Sequence, residues 1–312
     1  AGPRLQIQTE NEEVNQQIED EWERWARRIG LADKLRTMRM AKCCDGEVFA
    51  MLVSNPNINV DVTLDVRLVE CDQITGQYRT NTPRHIDGIE FDRYGNPITY
   101  YLLDQHPGDS LAFARSFETR PIDAESMIHW FRRDRPGQVR GIPEITPALP
   151  LYAVLRRYTL AVLHSAETAA NLSVVLETSG PVDPAEVEAF EALSIERNAM
   201  TTMPEGWKMS QLKAEQPTTA HDAFQRSVLR EIARCMDMPF NIAAGDSSSY
   251  NYSSGKLDDQ TWGRMVQIDR IQGEIDVLDK IALAWKKEAE LFGIIPKVER
   301  WNHNWHWPPA ED

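Results

Sequence analysis

The sequence predicts an α+β chain, with helix and sheet mixed in its first half and helices dominating the second, and three observations carry this. Val60, Val62, Leu64, Val66 and Leu68 alternate strictly, the pattern of a half-buried strand. Gly88 to Phe91 and Ile98 to Leu103 flank Arg93-Tyr94-Gly95-Asn96-Pro97, turn chemistry that closes a β-hairpin. Met265, Ile268, Ile271, Ile275, Leu278, Ile281, Trp285, Ala289 and Phe292 recur at helical spacing, the strongest periodic signal in the chain.

Val14, Ile18, Trp22, Trp25 and Ile29 recur every three or four residues after Thr9, which offers an N-cap, so residues 10–29 read as an amphipathic helix ended by Gly30. A second helix over 33–44 leads into an apolar run from Glu47 to Val53 and then the alternating strand. Arg132 to Pro143, rich in arginine, glycine and proline, is a loop, and a boundary is expected near Pro143. Leu151, Leu155, Tyr158, Val162, Ala166 and Ala169 give the next helix its apolar stripe as far as about Asn171, with Pro147 and Pro150 fitting only in or before its first turn. A small α/β insert follows, with strands at Val174 to Glu177 and Trp207 to Leu212 and a helix from Pro184 to Ala199. Thr219 and Asp222 resemble a capping box for a helix through Phe224, Val228, Ile232 and Cys235, stopped by Pro239. The polar stretch from Asn241 to Ser254 lacks the means to build a core and reads as a mobile loop. The last helix, from Lys256 to Phe292, would run about 55 Å, with Gly263 and Gly273 as bends and Gly293 and Pro296 as its end.

Composition excludes several classes of function. The chain has 312 residues, 42% of them hydrophobic, enough to bury a sizeable core in one elaborate domain or two to three smaller ones. Its 34 Lys+Arg against 48 Asp+Glu give a net charge of −14, so diffuse attraction to nucleic acid or anionic membrane is not expected. Cys43, Cys44, Cys71 and Cys235 have no C-x-x-C spacing, which suggests reduced thiols in a cytosolic setting and neither a zinc site nor a disulfide framework. Apolar runs such as Leu160 to Leu163 fall far short of the roughly 20 residues that span a bilayer. The start, Ala1-Gly2-Pro3-Arg4, has no initiator Met and no signal-like core, and suggests a processed or trimmed chain.

Ser254-Gly255-Lys256 imitates the end of a phosphate-binding loop, but Tyr250 stands at the earlier glycine position and Leu257 at the hydroxyl position. No G-x-S-x-G elbow occurs. His303 and His306 beside Glu311 and Asp312 offer zinc ligands, but Trp301, Trp305 and Trp307 make aromatic packing the simpler reading. Asp258, Asp259, Asp269, Asp276 and Asp279 would suit a metal-dependent nuclease only if clustered, whereas on one helix they scatter around the axis. Arg132, Arg133, Arg135 and Arg140 form the densest basic cluster, and in so acidic a chain they are expected to pair with carboxylates at a subunit contact. No catalytic residue, cofactor or metal is expected.

Met127-Ile128-His129-Trp130-Phe131, followed by Arg135-Pro136-Gly137-Gln138-Val139-Arg140-Gly141-Ile142-Pro143 and a long helix, resembles the lambda-type family of phage portal proteins. Asp45-Gly46-Glu47-Val48-Phe49, the loop from Asp246 to Ser254, and Trp301-Asn302-His303-Asn304-Trp305 with Pro308 and Pro309 are similar to the same family, so the resemblance covers most of residues 30–312. It implies a mixed α/β wing at 1–143, a first stem helix at 144–172, a small α/β clip at 173–216 and a second stem helix at 217–238. It further implies a tunnel loop at 239–254 and a long helix with a C-terminal wing segment at 255–312. A helical crown and residues further upstream, usual in the family, are expected to be missing.

The resemblance also implies a ring-shaped homo-oligomer, a dodecamer, at one capsid vertex of the virion, assembled in the host cytoplasm. Double-stranded DNA would pass through it, held transiently and without sequence preference. Its partners would be the terminase large subunit, head-completion or adaptor proteins and the major capsid protein, with no membrane. DNA would face Gly245, Asp246, Ser247, Ser248, Ser249, Tyr250, Asn251, Tyr252, Ser253 and Ser254, with further channel contacts from Lys208, Lys213, Arg226 and Arg230, for which an intersubunit ion pair is the alternative. A conduit must let DNA slide, and each neutralised phosphate adds affinity, so net negative charge suits it. The competing functions are a metal-dependent nuclease and a virion scaffolding or adaptor protein without a channel.

Overall fold

The computed structural model describes residues 2–76, 84–108, 119–171, 175–178, 207–210, 219–248 and 250–308. In chain order, β1 (Arg4–Ile7) leads to α1 (Glu12–Arg28) and α2 (Leu31–Asp45), then β2 (Glu47–Ser54) and β3 (Leu64–Val69). Next come β4 (His85–Ile86), β5 (Ile89–Phe91), β6 (Pro97–Leu103), β7 (Thr119–Asp123) and β8 (Met127–Phe131). The second half holds α3 (Leu149–Asn171), β9 (Val175–Thr178), β10 (Trp207–Ser210), α4 (Thr219–Cys235), α5 (Phe240–Ala244) and α6 (Tyr252–Gly273). A π-helical turn, Glu274–Leu278, joins α6 to α7 (Asp279–Leu291), and β11 (His303–His306) follows. This is the α+β class expected. The chain divides into two units, one of Ala1–Pro147, Cys235–Pro239 and Ser247–Asp312, the other of Ala148–Arg234 and Phe240–Asp246.

In the first unit, α1 buries Ile18, Trp22 and Trp25, the stripe its spacing predicts. Asn11, not Thr9, is its cap: the Asn11 side chain accepts from the backbone N–H groups of Glu13 and Val14 at 3.0 and 3.3 Å, while Thr9 bonds to the Asn15 side chain. Helix α2 starts at Leu31, two residues earlier than expected, because Gly30 takes φ +65° and its carbonyl already accepts from Asp33 and Lys34.

Two antiparallel sheets, β3-β2-β8 and β4-β5-β6-β7, follow. Strand β2 is buried from Glu47 to Met51 without alternation because each face of its sheet meets a core. Val48, Ala50, Ile128 and Trp130 pack with Trp22, Trp25, Ile281 and Trp285 from the helices. Phe49, Met51 and Met127 pack on the other side with Ile89, Tyr100 and Leu102 of the second sheet. The alternation from Val60 to Leu68 overstates the strand, which begins only at Leu64. Val62 is buried ahead of it, where Glu288 accepts from both the N–H and the hydroxyl of Thr63. The β5–β6 hairpin forms where its turn residues place it, with Asp92 accepting from the Tyr94 and Asn96 backbone N–H groups.

The long helix begins at Tyr252, capped by Asn251, four residues before the expected start. Its register slips at the π turn after Gly273, one of the two expected irregularities, where a Cβ would lie 3.3 Å from the Trp130 ring. Val277, Leu278, Ile281, Ala282, Trp285 and Ala289 are buried beyond the turn, and the helix ends at Gly293 with φ +70°. Strand β11 pairs antiparallel with β1, tying the segment around Trp305 to the start of the chain.

In the second unit, the Tyr158 ring of α3 packs on Phe224 of α4, with centroids 4.3 Å apart. Thr146–Ala148 form a short 3-10 turn, so Pro147 precedes α3 and Pro150 sits in its first turn. Strands β9 and β10 pair antiparallel. The expected helix at 184–199 lies outside the described residues, as do the last two residues of the expected strand from Trp207 to Leu212. The stretch from Asn241 to Ser254 is less of a loop than expected, since α5 takes up Asn241 to Ala244 and α6 claims Tyr252 onward.

Candidate functional site

Three of the segments that carry the family resemblance meet at one buried point of the first unit. Gly46 and Gly141 approach so closely that a Cβ on Gly141 would sit 2.1 Å from the Gly46 carbonyl oxygen. Beside this crossing, Glu47 accepts from His129 Nε2 at 2.9 Å, from Arg140 Nε at 2.6 Å and from the Gly141 backbone N–H at 2.8 Å. Arg140 further donates to the carbonyls of Ile74, Asp87 and Cys71 at 3.2, 2.7 and 3.1 Å, and His129 stacks between Phe49 and Phe131. One guanidinium therefore holds the loop after β8, the start of β2 and the edge of the second sheet together.

The electrostatics follow from burial. Removal from water pushes the Glu47 carboxyl up, but hydrogen bonds from His129 and Arg140 outweigh this and hold it below the usual carboxylate range. Burial pushes His129 down against the pull of Glu47, so a neutral imidazole donates from Nε2. The Cys71 thiol is pushed up to about 11 by burial and by Asp72 and Glu47. These are the marks of a satisfied structural node.

A second charged knot lies under a cavity of about 630 Å³ lined by α2, residues 235–238 and the long helix. Lys42, only 1% exposed, donates to Glu144 at 3.0 Å and to Asp269 at 2.6 Å, and its ammonium lies 5.1 Å from the Trp130 ring centroid. Arg39 pairs with the same two carboxylates. Sequence reasoning missed both knots. The available signal was a charged residue on an apolar face: Lys42 follows the buried Met38 by one helical turn, and Glu47 opens a buried strand.

The residues singled out from the sequence are dispersed. Arg132 pairs with Asp134 at 2.8 Å, Arg133 lies over the Phe131 ring, Arg135 is exposed and Arg140 is committed within the chain. In the second unit, Arg226 pairs with Asp222 at 3.0 Å and with Asp246 at 3.6 Å, and Arg230 lies over the Phe240 ring. Lys208 is exposed on β10, whereas Lys213 and Ser249 lie outside the described residues. Gly245 has φ +63°, Ser247 and Ser248 are exposed, and the Tyr250 backbone N–H donates to the Ser247 carbonyl. Asn251 and Ser254 cap the long helix reciprocally, leaving Tyr252 81% exposed and Ser253 in its first turn.

Of the carboxylates weighed for metal chemistry, Asp269 is held by Lys42 and Arg39, and Asp279 accepts from His303 and Trp305. Among the described residues no three His, Cys, Asp or Glu side chains are arranged to hold a metal ion, and no helix is long and apolar enough to cross a membrane. Glu311 and Asp312 are not among those residues.

Comparison with known proteins places this arrangement. The chain is 25% identical over 266 residues to a probable portal protein of Halomonas phage phiHAP-1, a match covering 80% of this chain and 50% of that protein, so the chain spans about half the length of this relative. The neck of a native GTA particle, computed with C12 symmetry, contains a chain 14% identical at a TM-score of 0.46, covering 75% of this chain and 61% of its own length. The virion of a native gene transfer agent particle gives 14% identity and a TM-score of 0.42, with 79% and 63% covered. Both scores are below the level at which a common fold follows. The family model described as phage portal protein, lambda family, matches residues 1–268, which include both charged knots apart from Asp269. A match of that breadth settles the family, and the chain belongs to the lambda family of phage portal proteins.

Proposed function

We propose that copies of this chain form a closed homo-oligomeric ring, a dodecamer, whose axial channel carries double-stranded DNA into and out of a phage head at one capsid vertex. The observation that carries this reading is the family match over residues 1–268. In this reading, residues 1–143 and 255–312 form the wing, 144–172 and 217–238 the stem helices, 173–216 the clip and 239–254 the tunnel loop. The clip docks the terminase large subunit during packaging and head-completion proteins afterwards, while the wing meets the major capsid protein. Assembly takes place in the host cytoplasm, and the role is structural.

Charge supports a sliding contact. The net charge of −14 opposes tight binding of DNA, Arg226 is held by Asp222 and Asp246, and Arg230 lies over the Phe240 ring. Hydroxyls at Ser247 and Ser248 and the exposed Tyr252 ring give weak, sequence-independent contacts. Negative-stain imaging of the purified chain tests the reading, with annular particles around a central hole expected. Compact particles without a hole, together with divalent-metal-dependent cleavage of DNA, would overturn it in favour of a nuclease.

A further inference from the structure

The cavity above the Lys42 knot is an apolar groove with a cationic rim. Trp130, Met236, Met238, Trp262 and Val266 line it, and the unbranched thioethers can repack around an inserted side chain. Lys42 and Arg39 are neutralised by Glu144 and Asp269, and Arg132, at the edge, by Asp134. Arg36 is exposed and has no ion pair among the described residues. Arg270 lies over the Trp307 ring at 5.2 Å and likewise has no carboxylate partner among them. Asp237 is the one further carboxylate on the lining, so the rim keeps an excess of positive charge in a chain of net charge −14.

The complement of such a rim is an exposed apolar side chain beside uncommitted carboxylates, and the same unit presents one. Leu257 is 64% exposed near the start of the long helix, next to Asp258 and Asp259, which have no ion pair among the described residues. Twelve residues of helix, about 18 Å, separate Leu257 from Asp269 in the groove, so a chain cannot place its own Leu257 there. We infer that the groove receives the Leu257-Asp258-Asp259 turn of a second copy, with Arg36 and Arg270 facing its two aspartates. A contact between two unlike patches of one chain is heterologous, the kind that repeats around a closed ring. The inference rests on the ring reading and names the partner surface that reading lacks.

Charge exchange tests it. Arg36→Glu with Arg270→Glu, Asp258→Arg with Asp259→Arg, and the fourfold combination are prepared as full chains and checked for unchanged melting temperature. Self-association is measured by sedimentation velocity and particle shape by negative stain. Each reversal alone is expected to weaken association roughly a hundredfold, and the combination to restore it. Association that survives the reversals, or that the fourfold variant fails to recover, overturns the groove contact while leaving a ring intact. Charge-dependent association that never closes into annular particles supports the contact and overturns the ring. Absence of any association in the parent chain overturns both.

Discussion

Glu47, His129 and Arg140 set how the protein responds to acid. Glu47 and His129 both have depressed pKa values in the folded state, so on acidification the unfolded chain binds protons first and stability falls. The loss begins as pH drops through the ordinary histidine value of 6.5 and deepens below the ordinary carboxylate value of 4.5. Calorimetric melting temperatures across this range should fall in the parent chain, and His129→Gln should flatten the upper part of the slope. A Glu47→Gln substitution strands the Arg140 charge and is expected to cost about 3–5 kcal/mol in urea unfolding. Removing the exposed Glu23 of the Glu23–Arg27 pair should cost under about 1 kcal/mol. The cysteines divide in the same way: Cys44 is exposed, whereas the Cys71 thiol, held near 11, is almost wholly protonated at neutral pH. Iodoacetamide followed by mass spectrometry should therefore modify Cys44 first and Cys71 last.

The long helix is two elements joined by a slipped turn. A π turn carries one residue more than α geometry needs, and within Glu274–Leu278 the side chain most exposed to solvent is Ile275, at 61%. Deleting Ile275 should restore regular helix, leave both flanks in register and keep a cooperative melt. Deleting Ala284 instead rotates Trp285 and Ala289 out of the core, and no cooperative melt is expected. Helical periodicity in the sequence found this helix and the stripe of α1, but of the long helix's stripe only Leu278, Ile281, Trp285 and Ala289, beyond the π turn, are buried, while Met265, Ile268, Ile271, Ile275 and Phe292 are exposed. Alternation overstated β3, since apolar Val62 is buried without being in a strand, and β2 was legible only as an apolar run because a sheet with a core on both faces loses its alternation. The charged knots were illegible for a different reason: Lys42 with Asp269, and Glu47 with Arg140, lie far apart in the chain, and only the fold brings them together. Family motifs were readable as strings, but their convergence on the Gly46–Gly141 crossing was not.

At the scale of the whole molecule, a net charge of −14 works against attraction to DNA. The chain should not be retained by duplex DNA in a mobility-shift assay at physiological salt, and a shift that strengthens steeply as salt is lowered would contradict the sliding-contact reading. The Gly46–Gly141 crossing has a further consequence, for how the first unit folds. Glu47 and the Gly141 N–H that it holds are 94 residues apart, and closing a loop of that length costs about 4 kcal/mol of chain entropy. Nearly all of both sheets lies inside that loop, so the crossing closes at least entropic cost after they have assembled. Gly141→Ala should accordingly accelerate unfolding far more than it slows refolding, as stopped-flow chevrons would show. The glycine pair thus acts as the last fastening made and the first undone, setting the lifetime of the folded unit more than the speed of its formation.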